Sequence, residues 1–143
     1  MSITRKKAEQ IVNESLELCK QLLKLTKYKI TVHILHTKSV FLRKNGAKPQ
    51  GEMASCYGSE YSKSADIIIH YDKHPNDREV LSSLIHELLH LKFAKLSELV
   101  TLKQRKAHNI EENLVRDFEE LIMQFLDNSH KLVKRIKKLS KER

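Results

Sequence analysis

The chain has 143 residues, 40% hydrophobic and 31% charged. That length and balance fit one globular domain with a modest core and exclude a largely disordered chain. No apolar run exceeds three residues, as at Ile67-Ile68-Ile69, and no apolar core follows the basic start Arg5-Lys6-Lys7. A transmembrane helix and a secretory signal are not expected, and a cytoplasmic protein is. The net charge of +9 sits in the tail: residues 131–143 hold seven Lys/Arg against one Glu, +6, leaving 20 basic and 17 acidic residues elsewhere, +3. A basic helix end complements the helix dipole and is ordinarily solvated. It is also the part suited to an acidic partner, nucleic acid or anionic lipid. The chain thus divides into a domain over 1–130 and a basic helical tail over 131–143. Cys19 and Cys56 lie far apart, outside any Cys-x-x-Cys arrangement, and are expected as reduced thiols in or near the core.

A helix is predicted over about residues 2–27, where Ile11, Leu16, Leu18, Leu22, Leu23 and Leu25 recur at roughly helical spacing. Over 28–35, Ile30, Val32 and Ile34 alternate with Lys29, Thr31 and His33, the pattern of a half-buried strand. Residues 43–51 gather two of the three glycines and one of the two prolines, predicting a loop or open turn. Residues 53–57 and 65–71 read as two more strands joined as a hairpin. Pro75-Asn76-Asp77 marks a turn and supplies caps for a helix beginning near Asp77 or Arg78. That helix runs through Val80, Leu84, Ile85, Leu88, Leu89 and Leu91 to about Ala94 or beyond. A last helix starts near Ala107 with Ile110, Leu114, Val115, Phe118, Leu121, Ile122 and Phe125, and the basic tail continues or follows it. The order defines an α+β fold: an N-terminal helix, a small antiparallel sheet of about three strands, an active-site helix and a C-terminal ligand helix.

His86-Glu87-Leu88-Leu89-His90 falls inside the predicted second helix. Residues four apart share a helix face, so His86 and His90 can bind one zinc ion through two imidazole nitrogens. Glu87 then stands beside the metal without being a ligand. There it can take a proton from a zinc-bound water whose pKa is lowered to about 7, and later pass it to a departing amine. A catalytic zinc takes three protein ligands, and the candidates for the third are Glu111, Glu112 and His108. With Ile110 at the origin and about 100° per residue, the apolar residues of the last helix centre near about 75°. Glu111 falls near about 100°, within that stripe, and Glu112 near about 200°, towards solvent. An acid within an apolar stripe is costly unless paired, so Glu111 is the preferred third ligand. His108, near about 160°, lies at the stripe's edge.

These residues resemble the zincin metallopeptidases, specifically the minimal gluzincin type with His-Glu-x-x-His on one helix and Glu on a later one. Leu84 to Leu91 followed by Ile110 to Glu119 is similar to small metallopeptidases of phages and mobile elements. The order of elements is similar to SprT-like and ImmA/IrrE-like domains, over about residues 28 to 125. The chain lacks the third histidine and glycine of the extended metzincin motif, and it has no zinc-ribbon cysteines. A third ligand at His108 would bring it closer to the SprT-like pattern. The resemblance implies one Zn²⁺ per chain, a protein or peptide substrate, and a cleft wall made by the strand over 65–71 or its partner over 53–57, whose edge could take an extended peptide. Tyr57, Tyr61, His70 and Tyr71 are candidate hydrogen-bond donors to the transition state. His33, His36 and His74 have no spacing argument and are expected at surface or strand positions.

The leading expectation is a zinc metalloendopeptidase with Glu87 as general base and His86, His90 and Glu111 on the metal. The alternatives are a catalytically weak zinc-binding interaction protein and a basic nucleic-acid-binding module whose helix is structural.

Overall fold

The computed structural model describes residues 1–39, 53–59, 62–99 and 104–141; the loop predicted over 43–51, Tyr61 and the last two residues of the tail lie outside them. Thr4 opens the first helix by accepting a hydrogen bond from the Lys7 N–H (3.3 Å), and α1 runs over Arg5–Leu22. It buries Ala8, Ile11, Val12 and Cys19. The helix ends short of residue 27 because the chain turns left-handed at Lys24, φ 54°. The Lys24 N–H bonds the Gln21 carbonyl and the Leu25 N–H bonds that of Lys20. This Schellman closure tucks Leu25 into the core.

Three strands, β1 (Lys29–Leu35), β2 (Ala54–Ser59) and β3 (Ser64–His70), form one sheet in the order β1-β3-β2. β2 and β3 make the expected antiparallel pair, from Ser59 opposite Ser64 to Ala54 opposite Ile69. The antiparallel expectation fails for β1, which runs parallel to β3 with Lys29 opposite Ser64 and Leu35 opposite His70. Composition explains the insertion. Ala65 and Ile67 to His70 are all buried, so β3 takes the centre, where both its edges are paired and its second half is covered on both faces. Ala54, Cys56 and Gly58 share one face of the sheet with Ala65, Ile67 and Ile69, as the register and the strand period of two require. The helices pack on that face.

Asn76 Oδ1 accepts from the Glu79 N–H (3.0 Å), so α2 (Asp77–Leu99) starts where the Pro75-Asn76-Asp77 signal puts it. Its buried residues, Val80, Leu84, Ile85, Leu88, Leu89 and Leu91, cover about half the helix circumference. The helix touches α1, the sheet and α3. At Gly58 an added Cβ would stand 2.5 Å from Leu91 Cδ1, so glycine lets β2 come close to α2 there. α3 (Gln104–Lys141) is one helix of 38 residues, and the basic segment is its end rather than a separate element. Among the described residues no helix is long and apolar enough to cross a membrane. Both cysteines are free, and burial pushes the Cys19 thiol up to about 11.

His33, on β1, lies 3.0 Å from Asp66 and is partly exposed, as expected. His74 is not: it is fully buried. Its Nδ1–H donates to the His70 carbonyl (2.8 Å), and Nε2 accepts from the Ser83 hydroxyl (2.8 Å). Its own carbonyl accepts from the Ile3 N–H (2.9 Å), tying the N-terminal arm to the start of α2. Burial lowers the His74 pKa, and the opposing effects of the His70 carbonyl, Glu79 and Asp72 do not offset it. The unfolded imidazole therefore takes up a proton near about pH 6.5, before the folded one does. The His74 contribution to stability is complete above that pH and is lost as pH falls through the lower folded value. His74→Gln should cost about 1–3 kcal/mol at neutral pH through lost buried hydrogen bonds. In urea titrations the gap between wild type and variant should narrow from pH 7.5 to 5; a gap that stays constant would remove His74 as the titrating group.

Candidate metal centre

α2 and α3 meet through their polar residues. Helical spacing brings the His86 and His90 rings together, with centroids 4.8 Å apart and the two Nε2 atoms 3.1 Å apart. The Glu112 carboxylate from α3 closes on the same point, 3.1 Å from His90 Nε2 and 3.5 Å from His86 Nε2. One ligand atom from each of His86, His90 and Glu112 lies within 4.8 Å of the others, and this group could hold a metal ion.

The outer nitrogens explain why the inner ones face each other. His86 Nδ1 donates to Glu119 Oε2 (2.7 Å), and His90 Nδ1 donates to Glu111 Oε1 (3.0 Å). Glu119 also accepts from the Ser82 hydroxyl. A proton held on each Nδ1 leaves the Nε2 lone pairs pointing inward, the tautomer a metal requires. Two lone pairs and a carboxylate at 3.1–3.5 Å repel one another unless a proton or a metal cation stands among them. The donor set therefore fits a divalent ion by its own chemistry. Arg116 Nε donates to the outer side of Glu112 (3.2 Å), although its side chain is largely exposed.

The titration behaviour agrees. Burial works against the charged form of His86, but the Glu119 hydrogen bond and the charges of Glu87, Glu119 and Glu112 outweigh it and raise its pKa. Burial likewise works against ionised Glu119, and the hydrogen bonds from His86 and Ser82 overcome it and lower its pKa. The site thus draws positive charge.

The structure brings His86 and His90 together as the sequence predicts, and it places Glu112, rather than the preferred Glu111, on their shared side. Glu111 touches the outer nitrogen of His90. The wheel centred near about 75° went wrong because Ile110, Leu114, Phe118, Leu121 and Phe125, which set it, are all exposed. The residues of α3 that pack inward are Val115, Ile122, Met123 and Leu126. They centre near about 160°, so Glu111 and Glu112 flank the true inward face at similar depth. Their side chains are 16% and 27% exposed. Glu119 was not anticipated. Its signal was present: it falls on that same inward face, two turns after Glu112.

An open cleft of about 570 Å³ lies in front of the group, walled by β2, α2 and α3. Glu87, 7% exposed, lines it beside the two histidines. His108 is exposed at its border and outside the ligand group. Cys56 also lines the cleft, where burial, then the charges of Glu87 and Asp66, push its thiol up to about 12, so it stays protonated and inert at neutral pH. The cleft wall is β2, an edge strand; β3 is central. The candidate donors separate as well. Tyr57 lines the cleft from β2, although the strand alternation turns its side chain to the face away from α2. His70 is buried in β3, and Tyr71 packs on His36 with ring centroids 5.7 Å apart.

No family model, curated protein or solved structure matches the chain. Function therefore rests on the site itself. Glu111→Gln and Glu119→Gln should each weaken Zn²⁺ binding by roughly 10–100-fold, as loss of an outer hydrogen bond to a ligating histidine does. Glu112→Gln should weaken it further. Competition with a chromogenic chelator ranks the three, and a greater loss at Glu111 than at Glu112 would return Glu111 to the ligand position.

Proposed function

We propose that the chain is a zinc-dependent metallopeptidase in which His86, His90 and Glu112 hold the ion and Glu87 is the general base. The observation that carries this reading is the convergence of two Nε2 atoms and a carboxylate at the floor of a cleft, with a second, buried carboxylate immediately beside them. Two imidazoles and one carboxylate are the ligand set of hydrolytic zinc sites, which leave a further position open. Zinc supplies Lewis acidity there, making water ionisable near neutral pH and polarising a carbonyl.

The remaining work falls to the chain. Glu87 accepts the proton of the attacking water and then delivers it to the leaving amine, so one carboxylate serves both halves of the reaction. Glu111 and Glu119 keep Nδ1 of each histidine protonated and the rings fixed. Among the described residues β2 is the edge strand of the sheet, and its backbone along the cleft is suited to an extended peptide laid against it as an added strand.

Protein purified without added zinc should carry about one equivalent, as the one three-donor group among the described residues implies. Glu87→Gln should keep that zinc while cleavage of an unfolded protein substrate falls by roughly 10²–10⁴-fold. Undiminished cleavage in the variant would remove Glu87 from the chemistry. A wild type that holds zinc but cleaves no peptide would mark a binding protein instead.

A further inference from the structure

The exposed large apolar side chains of this molecule are concentrated on one side. Leu18 and Leu22 at the end of α1, and Leu114, Phe118, Leu121 and Phe125 on α3, are each 36–64% exposed. All but Leu114 line a groove of about 390 Å³ between the two helices. A contiguous apolar patch of this kind on a soluble domain marks an interaction surface.

The spacing on α3 says what kind. Residues 114, 118, 121 and 125 follow the 4-3-4 rhythm of a two-helix seam, with Leu at d and Phe at a. In that frame Asp117, Gln124 and Lys131 occupy successive g positions, and all three are exposed. The charge along the helix is polarised: residues 108–130 hold six acidic side chains and one basic, whereas 131–143 carry +6. Two such helices side by side in parallel would set like charges together. Side by side in antiparallel they set acid against base, with Gln124 near the two-fold axis, Asp117 opposite Lys131 of the second copy, and Leu121 opposite Phe125.

We propose that the chain forms an antiparallel homodimer in which α3 of each copy lies in the α1–α3 groove of the other. The charge pattern favours a second copy over an unrelated helix because the same element supplies both complementary halves, as a two-fold interface requires. The six apolar side chains would lose roughly 80–100 Å² each, or about 500–600 Å² per copy before polar contacts, approaching the ~800 Å² per partner of a standard interface. The inward face of α3, with Glu111, Glu112 and Glu119, is left free to serve the metal site.

Sedimentation equilibrium of the full chain should give a dimer at micromolar concentrations. Leu121→Glu with Phe125→Glu should weaken it by about 100-fold or more, with helix content and zinc stoichiometry unchanged. Asp117→Lys and Lys131→Glu should each weaken it by roughly tenfold, and an equimolar mixture of these two variants should restore wild-type affinity as a heterodimer. A monomeric wild type at high micromolar concentration overturns the proposal. So does a dimer indifferent to Leu121→Glu with Phe125→Glu. Single charge reversals that leave affinity intact overturn the antiparallel arrangement.

Discussion

Two imidazole lone pairs and a carboxylate are forced together where α2 crosses α3, and much of the molecule is arranged to hold them there. Glu87, Glu111, Glu112 and Glu119 all lie within or around the group, and Arg116 is the cation seen against it among the described residues. Part-buried like charges cost free energy when nothing of opposite sign stands among them. A divalent ion reverses that balance and turns mutual repulsion into shared attraction. The same contact is the joint between the two helices, so metal binding and the docking of α3 on the body are expected to be linked.

The rest of the fold can be understood as support for α2. The Asn76 cap fixes its start, and the fully buried His74 ties that start to the N-terminal arm. Its apolar half-cylinder rests on the sheet and α1, which leaves His86, Glu87 and His90 turned to the cleft. The sheet contributes through its order. Because β3 carries the buried run Ile67 to His70 and takes the centre, β2 is displaced to the rim and becomes the wall of the cleft. Gly58 then lets that wall close on Leu91. A meander in chain order would have put β3 at the rim.

Local signals in the sequence were legible where the physics is local. His86, Glu87 and His90 need only helical spacing to be brought together, and Thr4, Asn76 and the alternation in β1 act within a few residues. Features decided by the whole fold were not. The parallel pairing of β1 with β3 depends on which strand most needs burial on both faces, a comparison between distant segments. The left-handed turn at Lys24 carries no glycine to announce it. The burial of His74 depends on Ser83 and Ile3, nine and seventy-one positions away. The helical wheel put Glu111 ahead of Glu112, whereas the group that could hold a metal contains Glu112. A helical wheel assumes that apolar means inward, and α3 has two apolar faces.

That second face changes how the metal site should be viewed. On a helix of 38 residues, one stripe carries Val115, Glu119, Ile122 and Met123 towards α2, and a neighbouring stripe carries Leu114, Phe118, Leu121 and Phe125 outward. Phe118 stands between them, with its ring 5.3 Å from Phe93 of α2. Few apolar residues fix α3 to its own body: of those described, Val115 and Met123 alone are fully buried. Half-buried Ile122 and Leu126 add to them, as do the Glu119 and Glu111 hydrogen bonds to the histidines and Arg78 to Asp127 at 3.0 Å. Glu112 meets both histidines with the outer stripe exposed, so a contact on that stripe and the donor group in the cleft use separate faces of one helix.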